Sequence, residues 1–322
     1  MNLQNLAQNF SSEDQARHFF EKQKWPDGVV CPHCGVVGEA YRLEGDPESK
    51  TPVRKGVWKC RGCQKQFTCT VGTIFADSHI PLNKWLMAIH FLCASKKGMS
   101  SHQLHRMLGI TYKTAWFMTH RIRHAMAQES LLSPLSGTVE VDETYVGGKE
   151  KGNPGHPTPE RSKKTPVVSM VERSLINKTG RVHSKAVERV DVKTLKPILK
   201  ECIAEGTTVN TDEATVYYYC NDDFKHDVIR HRAKEYSFKE GGRRISTNTV
   251  EGYFATLKRG IHGVYHHVGR QHLHRYLSEF DFRYNSRKIK DNERSLLAIQ
   301  GAAGKRLKYR DTKPPQPPVV PF

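Results

Sequence analysis

Three short stretches place carboxylates where they could act together on a phosphate: Asp142 in VEVDETY (139–145), Asp212 in VNTD (209–212) and Glu251 in NTVEGYFATLK (248–258). Hard divalent cations take oxygen ligands, and two of them ~4 Å apart can clamp the attacking and leaving oxygens of an in-line displacement. A lone Asp at a strand end is more often a turn former than a ligand. The order strand-Asp, strand-Asp, helix-Glu is what gives the set its specificity. Lys258 lies seven residues beyond Glu251, nearly two helical turns, and so shares its face. A cation there would stabilise charge that builds up on the phosphorus centre. Asn248, three residues before Glu251, lies near the same face.

A second chemistry belongs to the cysteines. Cys31-Pro-His-Cys34 and Cys60-Arg-Gly-Cys63 are two CxxC turns, each aiming two thiolates at one point. Paired turns of this kind make a tetrahedral site for a structural Zn²⁺, with no open position left for catalysis. His33 reads as exposed rather than as a ligand. Cys69, Cys93, Cys202 and Cys220 read as small core residues.

The elements that must position these groups follow from periodicity. Residues 12–24 predict a short helix, and 81–95 and 100–128 predict helices broken at Lys97-Gly98 and Gly109. Glu39 to Gly56 predicts an excursion between ribbon strands, and Leu131 to Ser136 a linker. Beyond it, 138–146, 165–173, 181–189, 207–212 and 226–231 read as strands, rich in β-branched residues. Helices are expected over 192–206, interrupted or shortened at Pro197, briefly around Tyr217–Tyr219, and over 246–260, capped by Ser246, Thr247 or Asn248. The Gly- and Pro-rich stretch 147–159 predicts a mobile loop. The Pro-rich end from Asp311 predicts an extended tail.

Charge names a class of partner. The 322 residues carry 51 Lys and Arg against 33 Asp and Glu, a net +18, with mean hydropathy −0.63. Such an excess favours polyanions, nucleic acid first among them. It is also segregated: Ser78 to Gln128 holds no acid, and a second excess runs from Lys225 onward. Within the first stretch, 100–126 has the anatomy of a helix-turn-helix. The second helix would present Tyr112, Lys113, Thr114, Arg121 and Arg123 to the major groove. A helical hairpin that only packs the linker is the plainer alternative. No apolar run is long enough to span a membrane and the start lacks the layout of a signal peptide, so a cytoplasmic protein is expected.

The chain resembles the bacterial insertion-sequence DDE transposases with an N-terminal zinc ribbon. The likeness is carried by CPHC, WKCRGCQKQF, VGTIFADSHIPLNKW, VEVDETYVGGKEKGN, NTDEATVYY, NTVEGYFATLKRGIHGVYHHV and HLHRYLSEFDFRYN. It implies a multidomain α+β chain: a helix and zinc ribbon over 1–72, a helix-turn-helix-like segment over 73–133, a ribonuclease-H-like α/β catalytic domain over 134–290, and a basic, Pro-rich tail over 291–322. It maps the first two catalytic acids to Asp142 and Asp212 and the trailing cation to Lys258. For the third acid the family pattern admits Asn or Glu, hence Asn248 or Glu251. Glu251 is preferred because Glu-x6-Lys matches DDE enzymes at large and a carboxylate is the better ligand. The resemblance further implies two Mg²⁺ or Mn²⁺ ions, cleavage at terminal inverted repeats, transfer into target DNA, and a homo-oligomer on DNA. A DNA-binding regulator without catalysis would leave the spaced carboxylates idle. A nuclease without strand transfer differs only in what the family likeness adds.

Overall fold

Ser12 opens the first helix, α1 (Glu13–Lys24), through a reciprocal capping box with Gln15. Glu21 on its buried side accepts from Trp58 Nε1 at 3.1 Å and pairs with Arg42, tying the helix to a small antiparallel sheet. That sheet, β1 (Ala40–Arg42), β2 (Trp58–Cys60) and β3 (Gln66–Phe67), carries the second CxxC turn between β2 and β3. The helices α2 (Leu82–Ala94), α3 (Ser101–Leu108) and α4 (Tyr112–Met126) follow. Gly109, in the left-handed conformation at φ 59°, ends α3 as its sequence position predicts. The computed structural model describes residues 10–45, 53–127, 133–148, 164–174, 179–230, 237–240 and 243–312. The expected loop beyond residue 148 and the Pro-rich end from 313 lie outside them. So do residues 131–132 of the linker and 46–52 of the ribbon excursion.

Beyond the linker, a five-stranded sheet forms in the order β6-β5-β4-β7-β8. Its strands are β4 (Thr138–Val146), β5 (Thr165–Glu172), β6 (Val182–Ala186), β7 (Thr208–Asp212) and β8 (Lys225–Ile229). β4 to β6 pair antiparallel, whereas β7 joins β4, and β8 joins β7, in parallel. The helix α5 (Val192–Cys202), capped by Asp191, crosses between β6 and β7. Pro197 sits inside it without ending it. A single-turn helix, α6 (Cys220–Asp223), precedes β8. A hairpin of β9 (Ser237–Glu240) and β10 (Arg243–Ser246) leads into α7 (Asn248–Gly260), and α8 (Leu273–Asn285) follows.

The sheet is covered on both faces. Val139, Val141, Val168, Met170 and Val209 pack with Leu195 and Leu199 of α5. On the other face Val167, Val171 and Val182 pack with Val250, Tyr253, Phe254 and Leu257 of α7 and with Leu277 and Phe280 of α8. A strand residue's face alternates, so this double cover sorts odd from even positions along β4 and β7.

The segment from 291, set apart as a tail, folds differently. Asp291–Gln300 forms a helix, α9, and residues 289–312 group with 10–95 and 99–126 in one compact unit. Residues 96–98 and 127–288 make the other. In the first unit Arg294 donates to the Cys93 carbonyl of α2 at 2.7 Å. Leu297 apart, the apolar positions of α9 turn inward, with Ala298 and Ile299 buried. Among the described residues no helix is long and apolar enough to cross a membrane.

Candidate catalytic and metal sites

The two CxxC turns are built alike. The Gly35 amide donates to the Cys31 carbonyl at 2.9 Å, and the Gln64 amide to the Cys60 carbonyl at 3.0 Å. Gly35 and Gln64 both take positive φ, at 77° and 60°. The chain then turns back, so that the Cys31 amide reaches the Val36 carbonyl at 3.0 Å and the Cys60 amide reaches that of Lys65 at 3.1 Å. The result brings Cys31, Cys34, Cys60 and Cys63 together with all four Sγ atoms within 4.8 Å of one another. Cys31 and Cys63 are 3.7 Å apart, Cys34 and Cys60 3.6 Å. A tetrahedron of sulfurs ~2.3 Å from a central Zn²⁺ has edges of about 3.8 Å, so the donor set fits that ion. His33 is exposed and outside the cluster, its ring 6.4 Å from that of Phe67. Cys69, Cys93, Cys202 and Cys220 are buried thiols.

The carboxylates are placed by strand register. Thr138, Val139 and Glu140 of β4 lie opposite Thr208, Val209 and Asn210 of β7. The pairing ends there; Asp142 and Asp212 each follow two residues beyond it on these neighbouring strands, near enough for the charge of Asp212 to act on Asp142. Alternation puts Glu140, Asp142, Asn210 and Asp212 on the face that α7 covers. Asp142 accepts from the Glu143 amide at 2.7 Å, and Asp212 from the Ala214 amide at 3.0 Å. Burial pushes the Asp142 carboxyl up to about 7, reinforced by the negative charges of Glu143, Asp212 and Glu251. Glu251 is exposed in the first turn of α7 and accepts from Thr247 Oγ1 at 3.0 Å. Asn248 and Lys258 are exposed on the same helix. The three acids thus lie within electrostatic reach, but their oxygens do not all come as close as the cysteine sulfurs do. Hard oxygen donors that repel one another are a set that divalent cations satisfy.

Two acids not singled out by spacing complete the surroundings. Glu143, next to Asp142, accepts a hydrogen bond from the buried Tyr217 hydroxyl, and burial together with Asp212 raises its pKa. Glu140 is fully buried and accepts from the Thr249 amide at 2.6 Å, the Val250 amide at 3.0 Å and Thr249 Oγ1 at 2.8 Å. It therefore caps α7 from a neighbouring strand, while the N-cap residue Thr247 makes no capping bond of its own. Arg173 of the following loop pairs with Glu140 at 2.6 Å and also donates to Ser246. Asn210 reaches the Ser246 carbonyl at 3.3 Å. The start of the helix that bears Glu251 is held by residues two positions before each aspartate.

The helix-turn-helix expectation needs correction at two residues. Arg121 and Arg123 do not face outward: they are 4% and 0% exposed. Arg121 lies over the rings of Trp85 and Phe117, at 5.4 and 5.3 Å, and donates to the Ala76 carbonyl. Burial draws its pKa down to about 10. Arg123 donates to Thr119 Oγ1 at 3.0 Å. A flat guanidinium on an apolar stem packs between aromatic rings as few polar groups can. What α4 exposes is its first turn. Tyr112 stacks on His102 of α3 at 4.1 Å, and Lys113 sits over the Tyr309 ring at 5.0 Å.

One chain thus pairs a four-cysteine knuckle with a sheet bearing clustered acids. Residues 134–285 match the family model of the ISXO2-like transposase domain, and residues 11–66 that of a transposase zinc-ribbon domain. A relative from Halobacterium salinarum, named as an uncharacterized protein in transposable element ISH50, is 25% identical over 295 residues, 85% of this chain and 91% of that protein. The chain belongs to the insertion-sequence DDE transposases with an N-terminal zinc ribbon.

Proposed function

We propose that the chain binds the ends of an insertion sequence and, with Mg²⁺ or Mn²⁺, cuts those ends and joins them to target DNA. The observation that supports this is the electrostatic coupling of Asp142 with Asp212 and Glu251, two acids on parallel neighbouring strands and one in the first turn of α7. Asp142, Asp212 and Glu251 would hold the cations, two of them ~4 Å apart if they are to clamp the attacking and leaving oxygens. Bound there, the metals would neutralise charge on the scissile phosphate and lower the pKa of the attacking water. Lys258, about 10 Å along the helix from Glu251, would meet a phosphate flanking the cut. Asn248, at the head of the helix, sits at the rim. We read the five-stranded sheet with its flanking helices as ribonuclease-H-like, and the cysteine cluster as structural zinc.

Lys113 and the outer face of α3 are the part of the helical pair left exposed to contact element ends. Joining two ends in one event calls for at least two copies of the chain on DNA, and the work belongs where the chromosome lies, in the cytoplasm. The test is incubation with Mg²⁺ and duplexes carrying the element's ends. Glu251→Gln should abolish nicking and joining while leaving DNA binding intact, and Asn248→Ala should only slow them. Activity retained by Glu251→Gln would transfer the third place to Asn248. Nicking without joining by the unaltered protein would favour a nuclease.

A further inference from the structure

Between Glu251 and Glu279 the sequence contains no acidic residue, but it holds Lys258, Arg259, Arg270, Arg275 and five histidines. Lys258, His262, His266, His267 and Arg270 are all exposed, and among the described residues none of their side chains makes a hydrogen bond or ion pair. Glu279, the acid that ends the run, is fully buried and bonded to Arg283 and to the Tyr265 hydroxyl, so it projects no free charge onto this surface.

The backbone here is unusual. α7 passes directly into a π turn over Ile261–Tyr265. His266 then takes φ 57° and ψ −47°, and the His267 amide donates to the Tyr265 carbonyl at 2.6 Å. That is a γ-turn of the rare positive-φ hand, and a residue with a side chain is strained in it. The anchors before it are plain. Tyr265 is clamped by Glu279 and packs at 4.8 Å against Tyr276, while Ile261 is buried. His266 itself is exposed and contributes nothing to that packing. Strain in an exposed residue that directly follows an anchored one, like a π turn ending a helix, recurs at functional positions.

Helix phase connects this edge to the acids. Residues 251, 255, 258 and 262 fall on one stripe, and their exposure agrees with it. At 1.5 Å per residue His262 stands about 17 Å from Glu251. Ala255 and Gly252 leave the stripe low between the charged side chains, and a Cβ at Gly252 would meet nothing within 4 Å.

We propose that the edge from His262 through the His266 turn to Arg270 is a phosphate grip for the DNA that runs outward from the cleavage site. The proposal rests on the reading of Glu251 as part of that site, but its test does not need catalysis. The full chain and its His262→Ala, His266→Gly, Arg270→Ala and triple variants are titrated with a random-sequence DNA duplex in EDTA across a range of KCl. The triple variant should bind about tenfold more weakly, as loss of three phosphate contacts implies. Arg270→Ala alone should lower the slope of log affinity against log salt by about one. Glycine accepts the turn without strain, so His266→Gly should not lower the thermal midpoint. Equal affinity and equal slope for the triple variant and the parent would overturn the grip. If the triple variant unfolds, His262→Ala decides: weakening supports the grip and unchanged binding refutes it. A parent protein that shows the grip but no cleavage would refute the catalytic reading alone.

Discussion

Replacing Glu140 with Gln probes the link between sheet and helix most directly. The carboxylate is fully buried, caps α7 through two backbone amides and a hydroxyl, and pairs with Arg173, whose side chain is 20% exposed. Gln keeps the shape but leaves Arg173 without its counter-charge and turns an amide NH₂ toward it. Removing one partner of a buried pair costs about 3–5 kcal/mol, and an anion lost from a helix N-terminus up to about 2. Because Arg173 keeps some water, the low end applies, about 3 kcal/mol. With a urea slope of ~1–3 kcal/mol per molar, the midpoint should fall by about 1 M or more. All four tryptophans, Trp25, Trp58, Trp85 and Trp116, lie in the first unit, so the second must be followed by circular dichroism. Replacing both partners with apolar residues, Glu140→Leu with Arg173→Met, should be no milder than Glu140→Gln, because Leu leaves the Thr249 and Val250 amides without their acceptor. A midpoint shift below about 0.3 M for both Glu140→Gln and the double variant would refute the cap.

Metal analysis should find one zinc per chain, and Cys60→Ser should lose it and loosen the unit that holds Trp58. Arg121→Met should leave DNA affinity nearly unchanged or act only through stability, whereas Lys113→Ala should reduce preference for element ends over random DNA. Equal loss for both DNAs in Lys113→Ala would remove α4 from sequence recognition. The Asp142 carboxyl, raised to about 7 from an ordinary 3.8, binds its proton more tightly in the folded protein. Metal-free protein should therefore lose stability as pH rises from about 4 to 7, and Mg²⁺ should restore more of it at pH 8 than at pH 5. A Mg²⁺-induced thermal shift independent of pH would show that this group does not contribute.

Much of this arrangement was legible because its signals are local. The cysteine turns depend on residues within each turn, and β4 appears at 138–146 as its alternation predicts. Ser12, Gly109 and Asp191 mark helix ends through their own chemistry. What was not legible depends on partners far along the chain. The cap of α7 was sought among Ser246, Thr247 and Asn248, yet it comes from Glu140, more than a hundred residues earlier. Arg121 carries the charge of a DNA-facing residue, but only the fold brings Trp85 over it. The helix Asp291–Gln300 looked like the start of a charged tail because a short helix reveals its packing face only against α2. The β9–β10 hairpin does carry a local signal, the Gly241-Gly242 pair between two short runs.

The placement of Glu140 also bears on how an acid on a helix can be held near two acids on strands. Two acids on paired strands are spaced by the sheet, whose hydrogen bonds tolerate little drift. A third acid on a helix has no such lattice, and an exposed first turn is the part of a helix that frays most readily. Glu140 and Asn210 lie two residues before Asp142 and Asp212 on the same face, and through Arg173, Ser246 and Thr249 they hold the turn that presents Glu251. The register that aligns the two aspartates is thereby extended to the helix. A slip of one residue between β4 and β7 would misplace the aspartates and the helix start together, so the geometry of all three acids is tied to a single pairing of strands.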